Sequence, residues 1–316
     1  MVVDLLDRKL LFVTGKGGVG KTSIASALAV LAASHGRRSL VCEVDAKGDL
    51  ASAFETEPLR FKPREVHDGV FAMAMDTEQS LREYLKLQLR IPLVGRIGPL
   101  ARSLDFVASA APGVKEILTV GKFCYEVRKA SYDLVVVDAE ASGHIVAQLT
   151  APDTIARLVQ VGVVREQTQW MLDILNDPAH TGVVIVTNPE EMPVNETIEL
   201  AARLREQTSV DLAAVVVNRV LPELFGRGEE ELFEGLRRSE PAAALAKRVG
   251  PAAPLVLDAA ELAVRLRRTG AAHLVELRDG IVPAAPLLYV PELFARAKGL
   301  RATRQIAGAL GEELGF

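Results

Sequence analysis

Apolar residues in this chain fall in short, nearly unbroken runs, separated by longer stretches in which they recur at helical spacing. The short runs predict strands over residues 9–14, 39–44, 70–75, 133–138, 182–187, 212–217 and 285–290. Most are apolar throughout rather than alternating, the pattern of strands buried on both faces of a parallel sheet. The longer stretches predict helices near 21–34, 77–90, 114–130, 152–176, 193–207, 241–249, 259–268 and 300–314. Strand and helix in this alternation predict an α/β fold, a doubly wound, mostly parallel sheet. No linker composition divides residues 1–316, which predicts a single domain. The stretch 91–121 departs from the rhythm: it is rich in Leu, Val and Ala, broken by Pro92, Pro99 and Pro112, and too long for a simple crossover. It reads as a helical insertion covering about residues 80–122. The Pro- and Gly-containing segment 221–228 reads as a surface loop.

Composition narrows the function. A net charge of -4 and a pI near 5.9 leave no global electrostatic footprint for nucleic acid. Aromatic residues at 5% do not supply a stacking platform for single strands. Two cysteines, Cys42 and Cys124, are too few for a disulfide framework, a four-thiolate zinc site or an iron–sulfur cluster within one chain. No apolar run reaches the length of a membrane span, and the N-terminal residues carry acids where a secretion signal needs bases. A reduced, cytoplasmic, soluble protein is expected.

The strongest chemical signal is Gly15-Lys16-Gly17-Gly18-Val19-Gly20-Lys21-Thr22-Ser23. Gly15, Gly20, Lys21 and Thr22 match the Gly-x4-Gly-Lys-Ser/Thr pattern, with a predicted strand before and a predicted helix after. Glycines let the backbone curl so that successive N–H groups face one anion, and the helix N-terminus adds a favourable partial charge. Lys21 is expected to reach the β- and γ-phosphates of ATP, and the Thr22 hydroxyl to ligate Mg²⁺. Ligands of doubly wound sheets sit beyond the carboxyl ends of strands, where Asp45 and Asp138 lie. Asp138 fits the acid that holds Mg²⁺; Asp45 is placed to orient the attacking water and to reach the metal. Glu43 and Glu140 are nearby acids, and no role is assigned to them.

Lys16, directly after the first glycine, makes the loop resemble that of the signature-lysine class of P-loop ATPases. Several further segments are similar to its ArsA/Get-like branch. Residues 138–144, Asp-Ala-Glu-Ala-Ser-Gly-His, resemble the family's Asp-Thr-Ala-Pro-Thr-Gly-His switch II, with Asp138, Gly143 and His144 matching. Pro112-Gly113-Val-Lys-Glu116 is similar to a Pro-Gly-x-x-Glu segment of the family's helical insertion, and residues 187–197, ending Glu196-Thr197, to its strand-to-helix segment. Asn218 matches an asparagine whose amide reads adenine, and residues 285–291, with Tyr289 and Pro291, resemble the family's adenine-side loop. The resemblance implies that Lys16 crosses a dimer interface to the partner's nucleotide, acting as an arginine finger does.

It also implies a dimer, with itself or with a paralogous subunit, that couples ATP hydrolysis to a protein client or membrane partner. No nucleic-acid partner is expected. Switch I departs from the family: Asp45-Ala46-Lys47-Gly48-Asp49 stands where Asp-Pro-Ala-His is usual. The cysteines match neither an arsenite site nor a Cys-x-x-Cys zinc clasp, so neither site is expected. In the insertion, Leu81, Tyr84, Leu85, Leu89, Ile91 and the apolar positions after them either form a groove for an apolar client or pack on the sheet or a dimer partner. A small-molecule kinase or ligase, and a nucleotide-binding subunit without turnover of its own, are the alternative functions.

Overall fold

Residues 5–45, 47–88, 113–159, 161–293 and 298–316 are described in the computed structural model of the chain. The N-terminal half runs β1 (Leu10–Gly15), α1 (Lys21–Ser34), β2 (Ser39–Glu43), α2 (Asp49–Ala53), β3 (Arg64–His67), β4 (Val70–Ala74), α3 (Thr77–Gln88), α4 (Val114–Lys129) and β5 (Leu134–Asp138). The remainder runs α5 (Ser142–Leu158), α6 (Val163–Leu175), β6 (Thr181–Thr187), α7 (Glu191–Gln207), β7 (Leu212–Val220), α8 (Arg227–Leu236), α9 (Ser239–Val249), α10 (Ala253–Gly280), β8 (Leu287–Pro291) and α11 (Gly299–Leu314). The strands form one eight-stranded sheet in the order β3-β4-β2-β5-β1-β6-β7-β8, parallel except for β3 against β4. This is the doubly wound α/β architecture that the pattern predicts.

The central strands explain the unbroken apolar runs. β1, β5 and β6 are buried at every residue. Their alternate side chains feed two cores: Leu11 and Val13 join α1, α2 and α11 on one face, while Leu10 and Phe12 join α4, α5, α6, α7 and α10 on the other. Phe12 meets Phe123 of α4 edge-on, with ring centroids 6.4 Å apart. Cys42 and Cys124 are free and buried in this second core, where Cys42 reads as a small apolar residue.

All the expected strands form, and β3 adds an antiparallel edge strand whose mixed polarity gives no apolar run. The expected helix over 152–176 is two helices. α5 begins at Ser142 and carries Pro152 in its interior, and Gly162 at φ 85° separates it from α6. The expected helix over 259–268 extends to the 28 residues of α10. Gly270, which interrupts its apolar pattern, is the point where the helix backbone approaches Pro189: a Cβ there would lie 3.3 Å from the Pro189 Cβ. The expected loop over 221–228 gives way to α8 at Arg227. Of the expected insertion, only its flanks on α3 and α4 lie within the described residues; 89–112, with Leu89, Ile91, Pro92, Pro99 and Pro112, lie outside them.

Candidate functional site

β1 delivers the glycine-rich loop to the carboxyl edge of the sheet, between β5 and β6. At Gly15 the backbone passes so close to β6 that a Cβ would stand 2.2 Å from the Val186 carbonyl oxygen. At Gly20, φ is 98°, and a Cβ would stand 2.3 Å from Nδ2 of Asn218. Gly20 caps α1 without a side-chain hydrogen bond, so no side chain satisfies the first N–H groups of the helix, the arrangement that receives an anion. Gly20→Ala is expected to cost about 1–2 kcal/mol for the left-handed backbone alone and to weaken ATP binding by on the order of tenfold or more. Thermal melts and titration with a fluorescent ATP analogue check both effects; unchanged binding would remove this loop from the site.

The loop opens onto a cavity of about 550 Å³. Gly17, Gly18, Gly20, Lys21, Thr22 and Ser23 line one side. Glu43 at the end of β2, Asp45, Lys47 and Asp49 after it, Asp138 at the end of β5, and Lys298 and Gly299 at the start of α11 supply the charged and turning part of the remaining wall. Thr22 Oγ1 donates to Asp138 Oδ2 at 2.7 Å. Burial pushes the Asp138 carboxyl up to about 6, although the Thr22 hydroxyl and the Lys21 charge both favour its ionised form. Hydroxyl and carboxylate oxygens side by side form a hard-oxygen donor set, and a buried anion that lacks full compensation favours a cation beside it, so Thr22 and Asp138 fit Mg²⁺. Lys21 curls back over the loop and donates to the Lys16 carbonyl at 3.1 Å. Its ammonium is held below the usual lysine value, by burial first, with Asp138 opposing.

Asp45 is exposed and paired with Lys47 at 2.9 Å. Glu43, which the strand pattern left without a role, is 3% exposed and its carboxylate accepts the Asp49 N–H at 2.9 Å. It thereby caps α2 and ties the segment after Asp45 to the sheet. Burial raises its carboxyl, and the backbone donors oppose that rise. An acid inside an apolar strand, six residues before Asp49, was the available signal.

The other predicted residues lie around this cavity rather than in its wall. Lys16 turns away from it, toward α7, where its Nζ meets Glu196 Oε1 at 2.5 Å. Asn218 sits at the end of β7 against the loop; its Nδ2 donates to the Val19 carbonyl at 2.8 Å, and its Oδ1 accepts the Arg219 N–H at 3.0 Å. Its amide therefore braces the loop in this structure, a role that the adenine-reading expectation did not include. Tyr289 and Pro291 lie on β8 at the sheet edge, outside the lining, with the Tyr289 N–H donating to Glu313 at 2.9 Å. His144 is exposed in the first turn of α5, its Nδ1 3.7 Å from Glu140 Oε2.

A family model described as anion-transporting ATPase matches residues 8–169 and 158–237, which include the loop, both acids and Asn218. The chain belongs to the anion-transporting ATPase family. It is 32% identical to the ATPase BagA of Mycobacterium tuberculosis over 225 residues, 68% of this chain and 66% of that protein. A putative arsenical pump-driving ATPase of Halobacterium salinarum is 28% identical over 261 residues, 76% of this chain and 39% of the relative. ATPase GET3C of Arabidopsis thaliana is 26% identical over 273 residues, 70% of this chain and 69% of the relative. The chain thus spans about two thirds or less of the length of most of these relatives. For an anion-transporting ATPase, the loop and strand-end acids were legible in sequence. Glu196 as the partner of Lys16, and Glu43 as the cap of α2, were not.

Proposed function

We propose that this protein is an Mg²⁺-dependent ATPase that works as a dimeric switch, its nucleotide state read by a protein client or membrane partner. The observation that carries the reading is the disposition of the two loop lysines. Lys21 lies in the wall of the cavity beside Thr22 and Asp138, whereas Lys16, one residue into the same loop, faces away from it. A lysine so placed serves a nucleotide only from outside its own cavity, across an interface with a second subunit.

In this reading the glycine-loop N–H groups and Lys21 hold the triphosphate, and Thr22 and Asp138 hold the metal. Mg²⁺ neutralises charge on the phosphate oxygens when bound. Asp45 orients the water that attacks the terminal phosphorus; the bond to the bridging oxygen breaks, leaving ADP and phosphate. Catalysis here is positioning and charge stabilisation. Asn218, Tyr289 and Pro291 belong to the adenine end, which for Tyr289 and Pro291 requires β8 to approach the base. Among the described residues no helix is long and apolar enough to cross a membrane, and a cytoplasmic location belongs to the same proposal.

One observation favours a second reading. Lys47 neutralises Asp45 at 2.9 Å, which suits a subunit that binds ATP without turning it over until a paralogous subunit rearranges switch I. ATP turnover per subunit across a protein dilution series separates the two. The switch reading expects specific activity to rise with concentration. Binding without turnover at every concentration would sink it and leave the paralogous-subunit reading.

A further inference from the structure

Lys47 lines the nucleotide cavity together with Lys21 and Asp138. Its Nζ donates to Asp45 Oδ2 at 2.9 Å. The two side chains are 69% and 44% exposed, so water and salt leave this ion pair weak. The chain is anchored on both sides of it. The Val44 N–H donates to the Asp138 carbonyl at 3.2 Å, and the Asp49 N–H donates to the Glu43 carboxylate at 2.9 Å. Lys47 therefore changes partner by turning its own flexible side chain, with the flanking anchors left in place. In the Asp-Pro-Ala-His segment whose place these residues take, alanine stands at this position, so the departure adds a cation to the site.

Lys47 and Lys21 are like charges that act on each other across the cavity, and Lys47 also lies in the field of Asp49 and Asp138. Two ammonium groups lining one cavity repel; an anion between them attracts both. Which phosphate Lys47 meets follows from its present partner. Asp45 is the acid assigned to the attacking water, and that water stands in line with the terminal phosphorus. A group 2.9 Å from Asp45 Oδ2 is therefore nearer the terminal phosphoryl group than the inner phosphates, which the glycine-loop N–H groups hold.

We propose that Lys47 is a ligand of the terminal phosphoryl group in its own subunit, exchanging the Asp45 carboxylate for that group when ATP binds. The exchange has two consequences. It gives the site a preference for a nucleoside triphosphate over a diphosphate, because ADP offers nothing at that position. It also releases Asp45, whose carboxylate then accepts from the attacking water instead of from Lys47. Once phosphate has left, Lys47 returns to Asp45. Lys47 is thus a specificity-determining residue, and the neutralisation of Asp45 is relieved by the nucleotide itself rather than by a paralogous subunit. The inference rests on the nucleotide reading given above.

The test compares the parent protein with Lys47→Met, which keeps the bulk without the charge, and with Lys47→Arg, which keeps the charge. Affinities for the non-hydrolysable analogue AMP-PNP and for ADP are measured by calorimetry in Mg²⁺. Lys47→Met is expected to bind AMP-PNP about tenfold more weakly than the parent, and ADP within about twofold of it, the scale of one charge-assisted contact in a solvated site. Lys47→Arg is expected to keep most of the preference for AMP-PNP. If the lysine only neutralised Asp45, Lys47→Met would turn over ATP faster than the parent and bind both nucleotides unchanged; that result overturns the proposal. So does an equal loss for AMP-PNP and ADP, which would make Lys47 a general attraction for anions. An arginine variant as weak for AMP-PNP as the methionine one also overturns it, because charge would not be what matters. A parent that binds neither nucleotide overturns the nucleotide reading itself, whereas the other failures leave that reading standing and remove Lys47 alone.

Discussion

Replacing Lys16 with alanine is expected to lower ATP turnover by ~10³–10⁵-fold, the range of an arginine finger, while ATP binding changes little. The side chain lies outside the wall of its own subunit's cavity, so binding there is not expected to depend on it. Its present partner is Glu196, in a pair whose side chains are 25% and 38% exposed. A pair so exposed contributes about 0–1 kcal/mol, so the variant is expected to fold normally. Mixed subunits make the decisive measurement. When Lys16→Ala is mixed with Asp138→Asn, one site of each mixed dimer has its own Asp138 and a lysine from the partner. Activity should return in the mixture although neither variant is active alone. An inactive Lys16→Ala that no partner rescues would mean the lysine acts within its own subunit. An active one would mean it has no catalytic part.

Asp138→Asn is expected to act in two directions. Asparagine keeps the shape and an acceptor for the Thr22 hydroxyl but removes the charge that fits a metal. Turnover should fall by ~10²–10³-fold, the scale of losing one preorganised electrostatic contact to the transition state. ATP affinity in Mg²⁺ should fall to its value in chelator. Without nucleotide or metal, the same change should stabilise the fold. The folded carboxyl is raised from 3.8 to about 6 by burial. Below 3.8 it is neutral in both the folded and unfolded chain and costs nothing. Between 3.8 and about 6 the unfolded chain ionises first, so stability declines as pH rises, and above about 6 the full penalty applies. A shift of that size corresponds to about 3 kcal/mol as an upper bound. Urea unfolding in chelator should therefore show Asp138→Asn more stable than the parent near pH 7.5, and equal to it below pH 3.8. A variant less stable than the parent at both pH values would show that the charge is compensated in the folded chain.

These expectations draw on features of different legibility. The strands and the loop could be read from residues adjacent in the chain. An apolar run in a buried parallel strand, or glycines at fixed spacing before a lysine, encode local backbone geometry and local burial. β3 and α8 escaped because an edge strand and an exposed helix have few residues that must be apolar. α5 escaped in part because Pro152, which usually opens a helix or breaks one, here lies inside it.

The sequence by itself determined the α/β class, the glycine-rich loop at its strand-to-helix turn, and the two acids at strand ends, because each depends on short-range pattern and backbone chemistry. The tertiary structure alone decided which side chains meet. Lys16 finds Glu196 and Asn218 finds Val19 because β6 lies beside β1 and β7 beside β6 in the sheet order. Glu140 reaches Lys115 because α4 packs against β5, which brings the first turn of the helix to the segment that follows the strand. Such pairings depend on how the elements are stacked, and no spacing along the chain encodes that.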